Sequence, residues 1–123
     1  LVVRGICALR PGVKGISENI RVRSIVGRFL EHTRVFYFQN SDPSLYLSSA
    51  DWMGRTFFNR VETCFPILDE KLAERIISEC QLYLEDNCQA WVLQPDGSYR
   101  QETAPASKRR CAQEQLLAKL AEN

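Results

Sequence analysis

The sequence predicts an α/β (α+β) fold, a mixed β-sheet flanked by helices, on three observations. Short β-branched and aromatic runs fill the first half, one clean amphipathic helix follows, and a hairpin leads to a last helix. At 123 residues, a single domain over residues 1–123 is expected, able to bury about two-thirds of the surface its unfolded chain exposes. The apolar fraction of 45% and the charged fraction of 25% are globular averages. No apolar run approaches the roughly 20 residues of a membrane-spanning helix, so a soluble protein is expected.

Residues 1–9 form a nearly continuous apolar run interrupted by Arg4 and ended by Pro11-Gly12 and Gly15, which reads as a buried strand with one polar insert. Residues 20–25 alternate with a rough period of two and set Arg21 and Arg23 on one face, as in a strand whose polar face looks into a site. Val35-Phe36-Tyr37-Phe38, closed by Asn40-Ser41-Asp42-Pro43, and then Leu45-Tyr46-Leu47 read as two strands joined by a turn. Residues 61–67 read as another strand, with Pro66 marking its end or an edge position, because proline cannot donate to a ladder. Asp69 caps the clearest helix, residues 69–85, whose apolar positions recur at three and four spacing and predict packing on a sheet. Gln94-Pro95-Asp96-Gly97 is a turn signature that joins residues 90–93 and 98–100 in a hairpin. After Ala104-Pro105-Ala106, a last amphipathic helix begins at Ser107.

The five cysteines, Cys7, Cys64, Cys80, Cys88 and Cys111, are odd in number, widely spaced and without a CxxC pair. They read as small buried hydrophobes in a reducing compartment, which makes a cytoplasmic location the expectation. The chain opens Leu1-Val2-Val3-Arg4, with neither an initiator Met nor the order of a signal peptide, and reads as part of a longer polypeptide. The net charge of +1 hides a segregation: Arg4, Arg10, Lys14, Arg21, Arg23, Arg28 and Arg34 face only Glu18 and Glu31 in residues 1–34. That basic segment attracts anions or nucleic acid, or else consists of scattered solvated charges.

His32 is the only histidine, so no pair of histidines can be built from this chain. A His-x-Arg step places His32 and Arg34 on one face of an extended chain. A guanidinium that forks onto phosphate oxygens, beside an imidazole that exchanges a proton near neutral pH, suits an anionic substrate. A satisfied or merely exposed histidine is the competing reading. Arg4 inside an apolar strand needs either an internal carboxylate, for which Glu62 is the candidate, or a bound phosphate. Arg21, Arg23 and Arg28 either line the path of a polyanion or are ordinary surface charges. Gly12 and Gly15 flank a loop that is a weak candidate for approaching phosphate. Trp52, Trp91, Phe57 and Phe58 read as core or interdomain contacts in preference to a stacking platform for bases.

His32-Thr33-Arg34 followed by a strand and then by Ser48-Ser49-Ala50-Asp51 is similar to the phospholipase D superfamily motif, in which His-x-Lys, an aspartate and Gly-Ser-x-Asn bind phosphate and the histidine attacks phosphorus. Arg34 stands for the lysine, Gln39 for the aspartate, Ser48 for the glycine and Asp51 for the asparagine. Those departures weaken the case for a hydrolytic nucleophile and leave a phosphate-binding geometry. Longer runs resemble one family. Residues 4–12, residues 16–32, Tyr46-Leu47-Ser48-Ser49-Ala50-Asp51-Trp52-Met53 and Arg60-Val61-Glu62 look like the C-terminal, phospholipase-D-like domain of type 1 polyphosphate kinase.

The resemblance implies an enzyme that reversibly transfers the terminal phosphate of ATP to polyphosphate, with Mg2+, through a phosphohistidine carried by a preceding domain. By position, Arg4 corresponds to a phosphate-contacting arginine and His32 to an assisting histidine that contacts nucleotide phosphates. Glu62 and Arg34 are expected as support, and no protein ligand to a metal is assigned. The implied partners are ATP or ADP, polyphosphate, the preceding domains and further copies of the enzyme, with no nucleic acid. A cytoplasmic setting, with or without peripheral contact with a membrane, is the expected one. Two other readings stand beside this one: a phosphodiesterase half-site that dimerises to pair two His32 motifs, and a non-catalytic polyanion-binding module.

Overall fold

A computed structural model describes residues 1–121. The strands are β1 (Arg23–Ile25), β2 (Val35–Tyr37), β3 (Leu45–Ser48), β4 (Cys64–Pro66), β5 (Ala90–Leu93) and β6 (Tyr99–Gln101). The helices are α1 (Gly54–Asn59), α2 (Glu70–Glu85) and α3 (Ala112–Ala121), with one 3-10 turn at Ala106–Lys108. The α/β class holds, but the strands divide between two three-stranded sheets, ordered β1-β5-β6 and β2-β3-β4, where one mixed sheet was expected. Every named pairing is antiparallel, and among the described residues parallel geometry is confined to a bridge between Val2 and Arg23. The chain also divides into two compact units, one of Leu1–Leu30 with the segment from Glu79 onward and one of Glu31–Ser78.

In the first unit, β5 is central, its Trp91 opposite Ser24 of β1 and Gln101 of β6. The hairpin expected at Gln94-Pro95-Asp96-Gly97 is present: Gly97 takes a positive φ of 89°, which a side chain would strain. Ser98 donates its N–H and hydroxyl to Asp96 Oδ1, and these bonds hold the Asp96 carboxyl below the usual carboxylate range. The buried strand expected over residues 1–9 is not formed. Val3 N–H bonds Arg23 O at 2.8 Å, but Gly5 then turns the chain at a φ of 90°, and the apolar side chains beyond it lose their sheet. Val22, Ala90, Leu93 and Ala112 supply this unit's apolar core.

The polar centre of the first unit is Asp86, 1% exposed. Its Oδ1 accepts the N–H groups of Cys88, Gln89 and Ala90 at 3.0, 2.7 and 2.9 Å, and Oδ2 accepts that of Ala112 at 2.7 Å. One carboxylate thus orders the entry to β5 and caps the N-terminus of α3, where a negative charge meets the free N–H groups of the first turn. Bringing these two segments together sets Cys88 and Cys111 at a Cα–Cα distance of 5.5 Å, joined as a disulfide. The expectation of five reduced thiols is therefore corrected: Cys7, Cys64 and Cys80 are free, and Cys64 is exposed.

In the second unit, β3 is central, and Leu45 at its start is fully buried. β4 is an edge strand with Pro66 as its last residue, opposite Tyr46, as the missing N–H of proline requires. Asp69 Oδ1 accepts the N–H of Leu72 at 2.9 Å, confirming the expected cap of α2. The apolar stripe of α2 is half-covered at best: no residue of the helix is fully buried, and Leu72 is 51% exposed. The expected packing of this helix against a sheet is thus only partial.

Candidate functional site

His32 is exposed in the extended segment that enters β2, and Arg34, two residues on, is half-buried. The Arg34 guanidinium donates Nε–H and Nη2–H to Asp51 Oδ1 at 3.0 and 2.6 Å and Nη1–H to the carbonyl of His32 at 2.7 Å. The β2–β3 ladder makes this possible. Ser48 N–H bonds Arg34 O at 3.1 Å, which draws the loop after β3, and Asp51 with it, alongside the His32 segment. In the sequence Asp51 stands out only as a motif position. The periodicity of a strand gives no sign that a residue 17 positions away reaches Arg34.

The same loop is tied down from its other side. Ser48 Oγ donates to Thr63 O at 3.1 Å and accepts the N–H of Ala50 at 3.0 Å, while Ser49 Oγ accepts the N–H of Thr63 at 3.0 Å and donates to Glu62 Oε2. Glu62 also faces Arg60 at 4.0 Å. Glu62 thus supports the Ser48-Ser49-Ala50-Asp51 turn. Beside that turn lies an open concavity of about 380 Å³ lined by Ser48, Ala50, Trp52, Thr56, Arg60 and Glu62 among others. Trp52 is 79% exposed and packs its ring 5.9 Å from Phe36 and 6.3 Å, edge-on, from Phe57, so it is not a core residue.

Arg4 belongs to the first unit and is exposed, between the Val2 bridge and Gly5. The burial argument for it, which supposed a guanidinium inside an apolar strand, therefore does not apply. Arg23 is not on an anion path either. Its Nη1 donates to the carbonyls of Tyr83, Leu84 and Asp86 and closes the C-terminus of α2, where a cation meets unpaired carbonyls. In the Gly12 to Gly15 loop, the N–H groups of Gly12, Val13, Ile16 and Ser17 bond within the loop itself, which leaves those donors unavailable for cradling a phosphate. Phe29 is held at both backbone groups by Gln113, at 3.0 and 2.8 Å, within the first unit.

Among the described residues no group of three or more His, Cys, Asp or Glu side chains could hold a metal ion.

Residues 1–113 match the family described as polyphosphate kinase C-terminal domain 2. The chain belongs to that family. A polyphosphate kinase of Pseudomonas aeruginosa is 58% identical over 98% of this chain, and one of Xylella fastidiosa is 63% identical over 81% of it. The crystal structure of polyphosphate kinase from Porphyromonas gingivalis superposes with a TM-score of 0.88 at 36% identity over 98% of this chain. The chain spans 18%, 15% and 19% of those three proteins, so this polyphosphate kinase domain corresponds to a small part of each. In this domain the geometry brings His32, Arg34, Asp51, Ser49 and Glu62 onto one tied framework within the second unit.

Proposed function

We propose that this domain is the phosphate-handling C-terminal portion of an ATP:polyphosphate phosphotransferase, with a phospholipase-D-like fold, inactive without the rest of the enzyme. The observation that carries the reading is the family match over residues 1–113. Phosphoryl transfer asks a protein mainly for positioning and for compensation of negative charge. An exposed Arg4 and an exposed His32 suit those tasks: the guanidinium forks onto nucleotide phosphate oxygens, and the imidazole contacts the phosphates and gives or holds a proton. The covalent step, transfer of the phosphoryl group to a histidine, belongs to a preceding segment of the enzyme, and Mg2+ enters with ATP. Oligomeric assembly and a cytoplasmic setting, with or without contact with a membrane surface, complete the proposal. The Cys88–Cys111 bond is the one feature that opposes that setting, because reducing compartments keep most thiols free.

The phosphodiesterase half-site is disfavoured because Arg34 is engaged by Asp51 and the His32 carbonyl. The polyanion-binding module loses Arg23 to the end of α2. Incubating this chain alone with ATP, Mg2+ and polyphosphate tests the proposal. No net synthesis is expected, and polyphosphate formation by the chain alone would sink the reading of this domain as inactive without the rest of the enzyme.

A further inference from the structure

We propose that Asp51 and Arg34 form a positioning clamp for His32, a role that rests on the reading of His32 as a phosphate-contacting residue. The guanidinium is the joint of the clamp. On one side its Nε–H and Nη2–H meet a single carboxylate oxygen, Asp51 Oδ1, and on the other its Nη1–H meets the His32 carbonyl. Both side chains of the ion pair are about one-quarter exposed, at 27% and 26%, so water screens the pair only partly. A guanidinium engaged in this way cannot reach a substrate phosphate without breaking the pair. Arg34 therefore acts through His32 and is not itself a phosphate ligand.

The clamp has a fixed base. Asp51 follows the turn whose Ser48 and Ser49 hydroxyls are bonded to Thr63 and Glu62, and Met53 N–H holds the Asp51 carbonyl at 2.8 Å. Arg34 is tied to the same sheet through its own carbonyl, which accepts Ser48 N–H. Restraint thus passes from the β3 end through Asp51 and Arg34 to the His32 carbonyl, and the exposed imidazole stands on a backbone held at that carbonyl. Phosphoryl transfer is sensitive to such placement, since a misplacement of about 1 Å can cost on the order of a hundredfold in rate. Arginine suits position 34 because its rigid planar fork holds Asp51 and the His32 carbonyl in a fixed mutual geometry, which the freely rotating donors of a lysine ammonium do not.

The test is a mutant cycle in the full-length enzyme that contains this domain, reading kcat and KM for ATP-dependent polyphosphate formation. Asp51→Ala is expected to lower kcat roughly ten- to a hundredfold. Asp51→Asn, which keeps an acceptor oxygen, should recover part of the loss. In the His32→Ala background the Asp51→Ala change should cost no more than about twofold, because its effect runs through the missing imidazole. If the two losses multiply, or if folded Asp51→Ala enzyme turns over at the normal rate, the clamp is overturned while the functional reading stands. Near-normal turnover of His32→Ala alone overturns the reading of His32 as a phosphate-contacting residue, and the clamp with it. Thermal melting checks the fold, and where Asp51→Ala does not fold, Arg34→Lys carries the same cycle with the same expected non-additivity.

Discussion

Replacing Asp86 with alanine should strongly destabilise the first unit. The carboxylate is buried and accepts four backbone N–H groups, from Cys88, Gln89, Ala90 and Ala112. The N–H groups of Ala90 and Ala112 sit in buried contacts and those of Cys88 and Gln89 in part-buried ones; at about 1–3 kcal/mol for each buried donor left without a partner, the loss is at least about 2 kcal/mol and about 4 kcal/mol at mid-range. The net stability of a small domain is about 5–15 kcal/mol, and a loss above about 4 kcal/mol is exceptional for one substitution. Asp86→Asn keeps one acceptor oxygen but turns an amide donor toward other donors, and should cost about 2–3 kcal/mol. Thermal and urea unfolding of the chain, followed by circular dichroism, measures both variants. The expected order of melting temperature is wild type, then Asp86→Asn, then Asp86→Ala. An Asp86→Ala melting temperature within about 3 °C of wild type, equivalent to less than about 1 kcal/mol, would refute the argument.

Two further outcomes follow from the same structure. Arg23→Ala should lower stability by about 1–2 kcal/mol, because the last carbonyls of α2 lose their donor, while polyphosphate binding to the chain stays unchanged; weakened binding with intact stability would restore Arg23 to the anion path. Thiol titration in denaturant should find three free thiols without reductant and five with it, and reduction should cost about 3 kcal/mol for a closed loop spanning 23 residues. Under native conditions Cys64 should alkylate before Cys80, whose thiol is pushed up first by burial and then by Glu79. Five free thiols at the outset would contradict the disulfide and favour the reducing compartment.

Local signals were readable and tertiary ones were not. The cap at Asp69, the hairpin around Gly97 and the edge placement of Pro66 each depend on residues within a few positions, and each is present where the sequence implies it. Residues 1–9 misled because an apolar run does not reveal that Gly5 will turn the chain out of the sheet. Helix α1 was missed since its six residues are too few to show a helical period. Asp86 carries no sequence mark: its partners are main-chain groups, one of them 26 residues away. The Cys88–Cys111 pair is a consequence of that same bridging and was equally invisible. At the candidate site, the His-x-Arg step was legible and the reach of Asp51 to Arg34 was not, since only the β2–β3 register brings them together.

Turnover of the full-length enzyme carrying His32→Ala or Arg4→Ala tests the central claim most directly, with circular dichroism confirming that each variant is folded. Each is expected to lower ATP-dependent polyphosphate formation by at least about a hundredfold, the scale on which a proton-transferring or charge-stabilising side chain contributes. Near-normal rates in both folded variants would contradict the assignment of this domain as the phosphate-handling part of the enzyme.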